Sequence, residues 1–336
     1  MILSRISYRS VTAMPEFSNI IVPKNDTPHT TRFDDAKYVS LTMEFRCNLR
    51  CTHCMIEGTM DRLRPTSDEE FKKILRTQEA THQWEGIILT GSEITLRRDL
   101  PKLATQARTA GFPNVRIQTH GMHLARPGYL DRLLQSGINE FFISVAGHNA
   151  TLHDHITKVD GAFDKMITGI KMIENSDIDA RVITNTVITS ESYYALSDIV
   201  HLLAQFQKVV RHEFWNFFPM DGRDHKTLLV KLEHLMPHVI AAIKSSIKAG
   251  KKCEIKNIPE CLLAEFAQHL VNDQPMLLID NDFWIEFDRN SFHNCPHQDI
   301  CQSKQCLGLT PAYISRFGNE KNLLTPIKNS ARNTSI

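Results

Sequence analysis

Three cysteines occupy eight consecutive positions in the sequence Cys47-Asn-Leu-Arg-Cys51-Thr-His-Cys54. Three thiolates in so short a loop can hold three corners of a 4Fe–4S cube and leave the fourth iron without a protein ligand. A metal position that the protein leaves open is a reactive position. Zinc is the alternative occupant, with His53 or a distant residue as its fourth ligand. His53 lies between two of the cysteines, so it would be an awkward fourth corner of the same tetrahedron.

A second group of cysteines lies in the last quarter of the chain, at Cys253, Cys261, Cys295, Cys301 and Cys306. Four of them, Cys261, Cys295, Cys301 and Cys306, could bind every iron of a second cluster. Cys253 is then the spare, because it lies in a strand-like run, although it could replace Cys261 as a ligand. A zinc ribbon built from the same cysteines is the alternative. Cysteines grouped so tightly, without a secretory leader, indicate metal ligation in a reducing compartment and hence a cytoplasmic protein.

Alternating strand and helix patterns supply the elements that must position these cysteines. Short apolar runs predict six strands, at 38–45, 86–90, 115–119, 140–145, 181–188 and 212–220. Helical spacing of apolar residues predicts helices over 68–83, 163–173 and 232–247, the last of them ending at Gly250. Strand–helix units with short connections indicate a parallel sheet with right-handed crossovers. Six units are too few for a closed eight-stranded barrel, so we expect an α/β fold, an open partial (β/α)6 barrel with its site at the carboxyl ends of the strands.

Composition limits the domain number and the partners. The 336 residues exceed one average domain. We expect an N-terminal extension (1–37), a partial barrel (38–250), a small metal-binding module (251–325) with an irregular stretch around 276–279, and a flexible tail (326–336). The first fourteen residues of the extension are predicted to be a disordered tail, with a transit peptide as the alternative. Lys and Arg number 39 against 38 Asp and Glu, a net charge of +1, which disfavours nucleic acid and membrane surfaces as partners. No apolar run is long enough to span a bilayer.

The spacing C-x3-C-x2-C directly after the first strand of a six-unit α/β chain resembles the signature of the radical S-adenosylmethionine (radical SAM) enzymes. The resemblance implies a 4Fe–4S cluster on Cys47, Cys51 and Cys54 whose open iron is chelated by the amino and carboxylate groups of SAM. One electron from the reduced cluster then splits SAM into methionine and a 5′-deoxyadenosyl radical, which takes a hydrogen atom from the substrate. Many members carry an aromatic residue just before the third cysteine, near the adenine, and here that residue is His53.

The ends of later strands resemble other parts of the SAM site in this family. Gly91, Ser92 and Glu93 resemble the glycine–glycine–glutamate segment that meets the SAM amino group, with Ser92 in place of the second glycine. Ser144 resembles the position that contacts the ribose, and Asn185 could fill a similar role. Each has an ordinary structural alternative. The first segment could be a simple Gly-Ser turn, and Ser144 and Asn185 could be satisfied polar residues of a barrel interior.

The run Cys295-x5-Cys301-x4-Cys306-Leu-Gly308 resembles the tail of radical SAM enzymes that carry an auxiliary 4Fe–4S cluster, in modules called SPASM or the shorter twitch. The aromatic residue and the glycine that follow in such tails correspond to Tyr313 and Gly318. Eight cysteines are too few for the two clusters of a full SPASM module, so a single twitch-like cluster fits better. An adjacent cluster can accept the electron that a substrate radical loses when a stable oxidised product forms.

The resemblance implies an oxidoreductase that abstracts a hydrogen from a peptide side chain or a small natural-product precursor, giving an oxidised or cross-linked product. It also implies a flavodoxin- or ferredoxin-type reductant. Candidate catalytic groups are the polar residues near the end of the sixth strand: Glu213, Asp221 and His225. The alternatives are redox-neutral epimerisation or rearrangement and, in a different class, a non-catalytic metal-binding scaffold.

Two features bear on which relatives with an auxiliary cluster this chain resembles. Residues 331–336 lack the double-glycine arginine ending of the GTP cyclase of molybdopterin synthesis, so we expect a different reaction. The 37 residues before the first strand are too few for the winged-helix module with which many peptide maturases hold a leader peptide. We therefore expect a peptide substrate to need a separate carrier or direct docking.

Overall fold

The computed structural model describes residues 9–10, 21–22, 37–57 and 61–328. The strands are β1 (Arg9–Ser10), β2 (Ile21–Val22), β3 (Tyr38–Glu44), β4 (Gly86–Gly91), β5 (Asn114–Thr119), β6 (Glu140–Ser144), β7 (Arg181–Ile188), β8 (Val209–Asn216), β9 (Lys252–Lys256) and β10 (Met276–Leu278). The helices are α1 (Asp68–Thr81), α2 (Leu100–Thr109), α3 (Tyr129–Gln135), α4 (Ala150–Thr157), α5 (Ala162–Glu174), α6 (Leu196–Leu203), α7 (Leu232–Lys248), α8 (Asn281–Phe287) and α9 (Pro311–Phe317). Most of the predicted N-terminal extension, and the predicted tail beyond residue 328, lie outside the described residues.

Eight parallel strands form the body of one sheet, in the order β10-β3-β4-β5-β6-β7-β8-β9. β2 pairs antiparallel with β10, and β1 pairs antiparallel with β2. From β3 to β9 each strand lies beside the strand that precedes it, and all seven run in one direction. Their carboxyl ends therefore meet at one edge of the sheet, which we call the mouth. This confirms the predicted α/β partial barrel.

The outer face of the sheet packs against the helices. On β3 the fully buried residues Val39, Leu41 and Met43 alternate along the strand, as a period of two requires. They share one apolar core with Phe71 and Ile74 of α1, which lie three residues apart on one helix face. Full burial of each such aliphatic or aromatic side chain contributes about 1.5–3 kcal/mol. In the described part of the chain, no helix is both long enough and apolar enough to cross a bilayer.

The inner face of the sheet carries buried ion pairs. Glu140 of β6 accepts hydrogen bonds from Tyr38 Oη at 2.9 Å, from Arg116 Nε at 2.7 Å and from Arg181 Nε at 2.8 Å. Burial opposes the ionised carboxylate, but the two guanidinium groups outweigh it and lower the pKa of Glu140. Tyr38, Glu140 and Arg181 each begin a strand. These ion-paired side chains therefore fill the barrel interior at the end opposite the mouth.

The sheet continues past the predicted module boundary at residue 250. β9 pairs with β8, and β10 returns from the C-terminal part of the chain to pair with β3. The predicted irregular stretch around 276–279 thus contains a strand. The sixth predicted strand, 212–220, forms instead at Val209–Asn216. Phe217 and Phe218 extended the apolar pattern, but they are buried by contacts outside the strand ladder.

Candidate functional site

The first three cysteines lie in the segment 45–57, which leaves the carboxyl end of β3 at the mouth. We call this segment the cysteine loop. Cys47 and Cys51 pack against Met122 and against Ala162 at the start of α5. Electrostatic interactions connect Cys47, Cys51 and Cys54 in all three pairs. The structure therefore brings the three predicted ligands together.

Residues from distant parts of the chain hold the part of the cysteine loop around Thr52. Thr52 N donates to Ile156 O of α4 at 2.9 Å. Thr52 Oγ1 donates to Glu191 Oε2 at 2.7 Å, beyond the end of β7. Lys226 Nζ, from the segment after β8, donates to Thr52 O at 2.9 Å. The shape of the loop therefore depends on parts of the chain that are more than a hundred residues away.

The thiols of the cysteine loop keep their protons when no metal is bound. Burial raises the pKa of Cys47 to about 11, that of Cys51 to about 12, and also that of Cys54. Such thiols lose their protons when metal takes the protons' place. All three are free of disulfides. In the described ranges, no three or more His, Cys, Asp and Glu side chains surround the position of one metal ion. Each cysteine of a 4Fe–4S site instead binds its own iron.

The turn at the end of β4 lies against the backbone that enters the cysteine loop. A Cβ atom on Gly91 would lie 1.9 Å from Glu44 O, so only glycine fits there. Ser92 N donates to Glu44 O at 2.7 Å, and Ser92 Oγ donates to Phe45 O at 2.8 Å. Gly91 and Ser92 are both partly exposed. The turn is thereby fixed beside the three cysteines.

Glu93 is fully buried behind this turn. Its Oε1 accepts from Thr95 N at 2.9 Å and from Thr119 Oγ1 at 2.7 Å, and its Oε2 accepts from His120 N at 2.9 Å. The carboxylate also interacts electrostatically with Cys47. This arrangement differs from the expectation that Glu93 accepts a hydrogen bond from the SAM ammonium group. Its oxygens are already engaged by the carboxylate's own loop and by the end of β5, so Glu93 orders the turn from behind.

Several buried polar side-chain atoms have no hydrogen-bond partner among the described residues, and near the mouth they include Nδ1 of His53 and Nδ2 of Asn185. Asn185 pairs in register with Ser144 of β6, whose side chain is exposed. Burial lowers the pKa of His53 to about 4, so its ring is neutral at neutral pH. Since buried polar groups are rarely left unsatisfied, these atoms fit a polar ligand with donors and acceptors of its own.

The three candidate catalytic residues do not form one group. Glu213 is buried on the inner face, where its carboxylate is 2.8 Å from Arg211 and accepts from Trp215 Nε1 at 2.9 Å. Asp221 and His225 are exposed and pair with each other at 3.2 Å. No hydrogen bond or ion pair of the described residues connects either of them to Glu213. Although the three residues are close in sequence, they therefore do not line one site.

Four of the C-terminal cysteines lie together. Electrostatic interactions connect Cys261 with Cys295 and Cys301, and they connect Cys306 with Cys261 and Cys295. We call these four the C-terminal cysteine group. Cys253 is buried in β9, and none of the four thiols is among the groups that shift its pKa. The structure therefore favours Cys261 over Cys253 as a member of the group.

Backbone amides donate to two sulfurs of the C-terminal cysteine group. Gly308 N donates to Cys306 Sγ at 3.3 Å, and Ile327 N donates to Cys301 Sγ at 3.4 Å. Burial raises the pKa of Cys306 to about 11. Hydrogen bonds of this kind stabilise thiolates and set the reduction potential of a cluster that they ligate. The donor set therefore fits a buried iron–sulfur group.

The aromatic residue and the glycine predicted to follow this group have structural partners. Tyr313 lies in α9, and its Oη accepts from Leu232 N at 2.9 Å and donates to Glu320 Oε1 at 2.9 Å. Gly318 ends α9 with φ +83°, a conformation that favours glycine. Tyr313 thus joins the C-terminal cysteine region to the start of α7.

Sequence reasoning missed one residue at the mouth, His120. It follows β5, and its Nε2 lies 2.8 Å from Oδ1 of Asn48 in the cysteine loop. Burial lowers the pKa of His120. The two residues are 72 positions apart in the chain. No spacing or periodicity in the sequence could have indicated this contact.

Comparison with known proteins gives matches that centre on this region. Residues 43–203 match the family model described as the Radical SAM superfamily, which here runs from β3 to the end of α6. The AdoMet-dependent heme synthase of Nitratidesulfovibrio vulgaris is 28% identical over 179 residues, covering 53% of this chain and 47% of the relative. A probable GTP 3′,8-cyclase of Methanopyrus kandleri is 28% identical over 173 residues, covering 52% of this chain and 54% of the relative. The chain spans about half the length of these curated relatives.

A solved structure shares the fold. The crystal structure of Streptococcus suis SuiB bound to the precursor peptide SuiA matches with a TM-score of 0.55 and 17% identity. The match covers 75% of this chain and 60% of SuiB. At this level of identity the likeness concerns the fold alone.

Proposed function

Because residues 43–203 belong to the radical SAM superfamily, we propose that the protein cleaves SAM reductively and uses the resulting radical to abstract a hydrogen atom from an organic substrate. The observation that carries this proposal is the convergence of three free cysteines, Cys47, Cys51 and Cys54, in one loop at the mouth. Three thiolates leave one iron of a 4Fe–4S cluster for the amino and carboxylate groups of SAM.

When bound, the reduced cluster supplies the electron that splits SAM into methionine and a 5′-deoxyadenosyl radical. The chain's own residues bind and orient the cosubstrate. We assign the amino-acid part of SAM to the turn at Gly91 and Ser92, which lies beside the cysteine loop. The adenine is assigned to His53, and the ribose to Ser144 and Asn185, because His53 and Asn185 carry buried polar atoms that lack partners in the described chain.

Substrate oxidation is assigned to the C-terminal cysteine group, which we propose holds an auxiliary 4Fe–4S cluster on its four thiols. Loss of a hydrogen atom leaves a substrate radical. An auxiliary cluster on these four thiols would supply an acceptor for the next electron, and with one proton passing to water the substrate would be oxidised by two electrons overall. A flavodoxin- or ferredoxin-type protein supplies the electron for SAM cleavage. The proposed substrate is a peptide side chain or a small natural-product precursor, contacted by Glu213 on the inner face.

The proposal is tested by anaerobic reconstitution with iron and sulfide, followed by incubation with dithionite and SAM. We expect about eight irons per chain, four for each cluster, and 5′-deoxyadenosine detected by liquid chromatography. Cys51→Ala is expected to lose about four of these irons and to form no 5′-deoxyadenosine, because two cysteines cannot hold the first cluster. Retention of zinc without any nucleoside product would contradict the proposal and favour a non-catalytic scaffold.

Cys253→Ala is the matched control for Cys51→Ala. It removes a buried thiol that lies outside both cysteine groups. The iron content and the 5′-deoxyadenosine yield of this variant should equal those of the parent. Loss of about four irons here, together with full iron retention by Cys261→Ala, would show that Cys253 is the fourth ligand of the auxiliary cluster.

A further inference from the structure

His120 connects two parts of the proposed SAM site that lie far apart in the sequence. Its backbone N donates to Glu93 Oε2 at 2.9 Å, behind the Gly91–Ser92 turn. Its side-chain Nε2 lies 2.8 Å from Oδ1 of Asn48, the residue after Cys47 in the cysteine loop. The same Nε2 lies 3.1 Å from Glu93 Oε2. The His120 ring is buried, whereas Asn48 is exposed, so the hydrogen bond between them is partly buried.

The hydrogen bonds of the His120 ring show which nitrogen carries its proton. Met122 N donates to Nδ1 at 3.1 Å, so Nδ1 must offer its lone pair. The proton is therefore on Nε2. Nε2 then donates to Asn48 Oδ1, an amide oxygen that can only accept. The neutral ring is thus a directed link from the β5 end to the cysteine loop.

Ser92 Oγ of the turn after β4 donates directly to Phe45 O at the start of the cysteine loop. Other side chains anchor the loop further along, around Asn48 and around Thr52. The Thr52 arm is held by Glu191 and Lys226, which come from beyond β7 and β8. The Asn48 arm is held by His120, the one hydrogen-bond partner of the Asn48 side chain among the described residues. His120 in turn contacts Glu93 through both its backbone and its ring.

We propose that His120 is a positioning residue that holds the cysteine loop in register with the Gly91–Ser92 turn, so that one SAM molecule reaches both. This inference rests on the proposed function, because SAM would bind between these two parts. Cluster assembly needs only the three thiols, whereas SAM binding needs the thiols and the turn in one geometry. Loss of the His120 link should therefore weaken SAM binding more than it reduces iron content.

The test compares two substitutions of His120 in the reconstituted protein. His120→Phe keeps a ring but has no donor, and His120→Gln restores an amide donor. We expect His120→Phe to keep the iron content of the parent and to bind SAM about five- to tenfold more weakly, the effect of one lost hydrogen bond. The electron paramagnetic resonance (EPR) signal of the reduced cluster should also change less when SAM is added. His120→Gln should bind SAM within about twofold of the parent.

Asn48→Ala removes the other partner from an exposed position, so it decides the question if His120→Phe does not fold. The double variant should bind SAM no more weakly than either single variant, because both substitutions remove the same interaction. His212→Phe is the control, since this buried ring bonds with Thr184 of β7 and contacts neither His120 nor the cysteine loop. Its SAM affinity should match that of the parent.

Unchanged SAM affinity in Asn48→Ala and in a folded His120→Phe would overturn the proposal. Additive losses in the double variant would also overturn it, because the two residues would then act separately. A parent protein that binds SAM without forming 5′-deoxyadenosine would contradict the proposed function instead. The affinity comparison remains readable in that case, so the two failures are distinguishable.

Discussion

The two cysteine groups of this chain differ in their number of thiols and in their surroundings. The cysteine loop has three thiols and is held by side chains that follow distant strands, among them Glu191, Lys226 and His120. The C-terminal cysteine group has four thiols. Backbone amides donate to sulfurs in both groups, from Leu49 to Cys47 in the loop and from Gly308 and Ile327 in the C-terminal group. Buried polar atoms without partners lie near the first group.

We interpret this difference as two uses of cysteine ligands, one in a cluster with an open iron and one in a cluster with four protein ligands. A cluster with an open iron needs neighbours that hold a second molecule in a fixed position, and those neighbours come from several strands. A cluster with four protein ligands has no open iron, so it needs only hydrogen-bond donors around its sulfurs, which backbone amides can supply. The two groups should therefore respond differently to substitution.

The largest expected effect is a separation of SAM chemistry from the second cluster. Cys301→Ala should lose about four irons but still form 5′-deoxyadenosine, and its remaining EPR signal should change when SAM is added. Cys51→Ala should show the reverse, a signal that ignores SAM and no nucleoside product. Iron assay, chromatography and EPR spectroscopy measure these outcomes. If Cys301→Ala also formed no 5′-deoxyadenosine, the two groups would not be functionally separate.

An intermediate effect is expected from one glycine beside each group. Gly91→Ala would drive a Cβ to 1.9 Å from Glu44 O, so the free energy of unfolding should fall by more than about 3 kcal/mol. Gly308 has φ +76°, but a Cβ there would stay at least 3.4 Å from its neighbours. Gly308→Ala should therefore cost about 1–2 kcal/mol, the penalty of the backbone conformation alone.

Urea unfolding of the reconstituted variants measures both losses. Gly250→Ala is the control, because Gly250 has φ +68° and open space around it. It should match Gly308→Ala. Equal losses for Gly91→Ala and Gly308→Ala would mean that the turn after β4 can move away from the cysteine loop.

The smallest expected effect is a pH dependence that arises beside the cysteine loop. Burial lowers the pKa of His53 and of His153 to about 4, whereas an unfolded histidine titrates near 6.5. Between about pH 6.5 and pH 4 the unfolded chain therefore binds protons that the folded chain does not. Their contribution to stability is complete above that window and is lost as the pH falls through it.

His153→Gln should reduce this acid-induced loss by about 1–2 kcal/mol at pH 5. Urea unfolding at pH 7 and pH 5 measures the difference. His201→Gln, at an exposed position of α6, serves as the control and should leave the pH dependence unchanged. An equal loss of stability in His153→Gln and the parent would show that the folded chain accommodates a charged His153.

Local patterns in the sequence predicted most of the fold and the membership of both cysteine groups. The six strands from β3 to β8 follow apolar runs, and their parallel order follows from the helices between them. Local patterns failed where an apolar residue is buried by a contact outside the sheet. Phe218 reads as part of a strand but stacks on Phe287 at 4.5 Å between ring centroids. The segment 276–279 reads as irregular, yet it pairs with β3.

Side-chain direction was the second limit of the sequence. Glu93 reads as a ligand contact, but its carboxylate is turned to Thr95, Thr119 and His120. Asp221 and His225 read as parts of a site, but they pair with each other in solvent. The hydrogen bonds that a polar side chain makes depend on which distant groups surround it, and spacing along the chain does not contain that information.

The sequence by itself determined the spacing of the cysteines and the sheet, because cysteine spacing and hydrophobic period are properties of neighbouring residues. Only the tertiary structure decided how the cysteine loop meets the turn after β4. The contact involves Asn48, Glu93 and His120, which lie on three different segments of the chain. Folding alone brings them within hydrogen-bond distance, since the parallel strands that carry them all end at the same edge of the sheet.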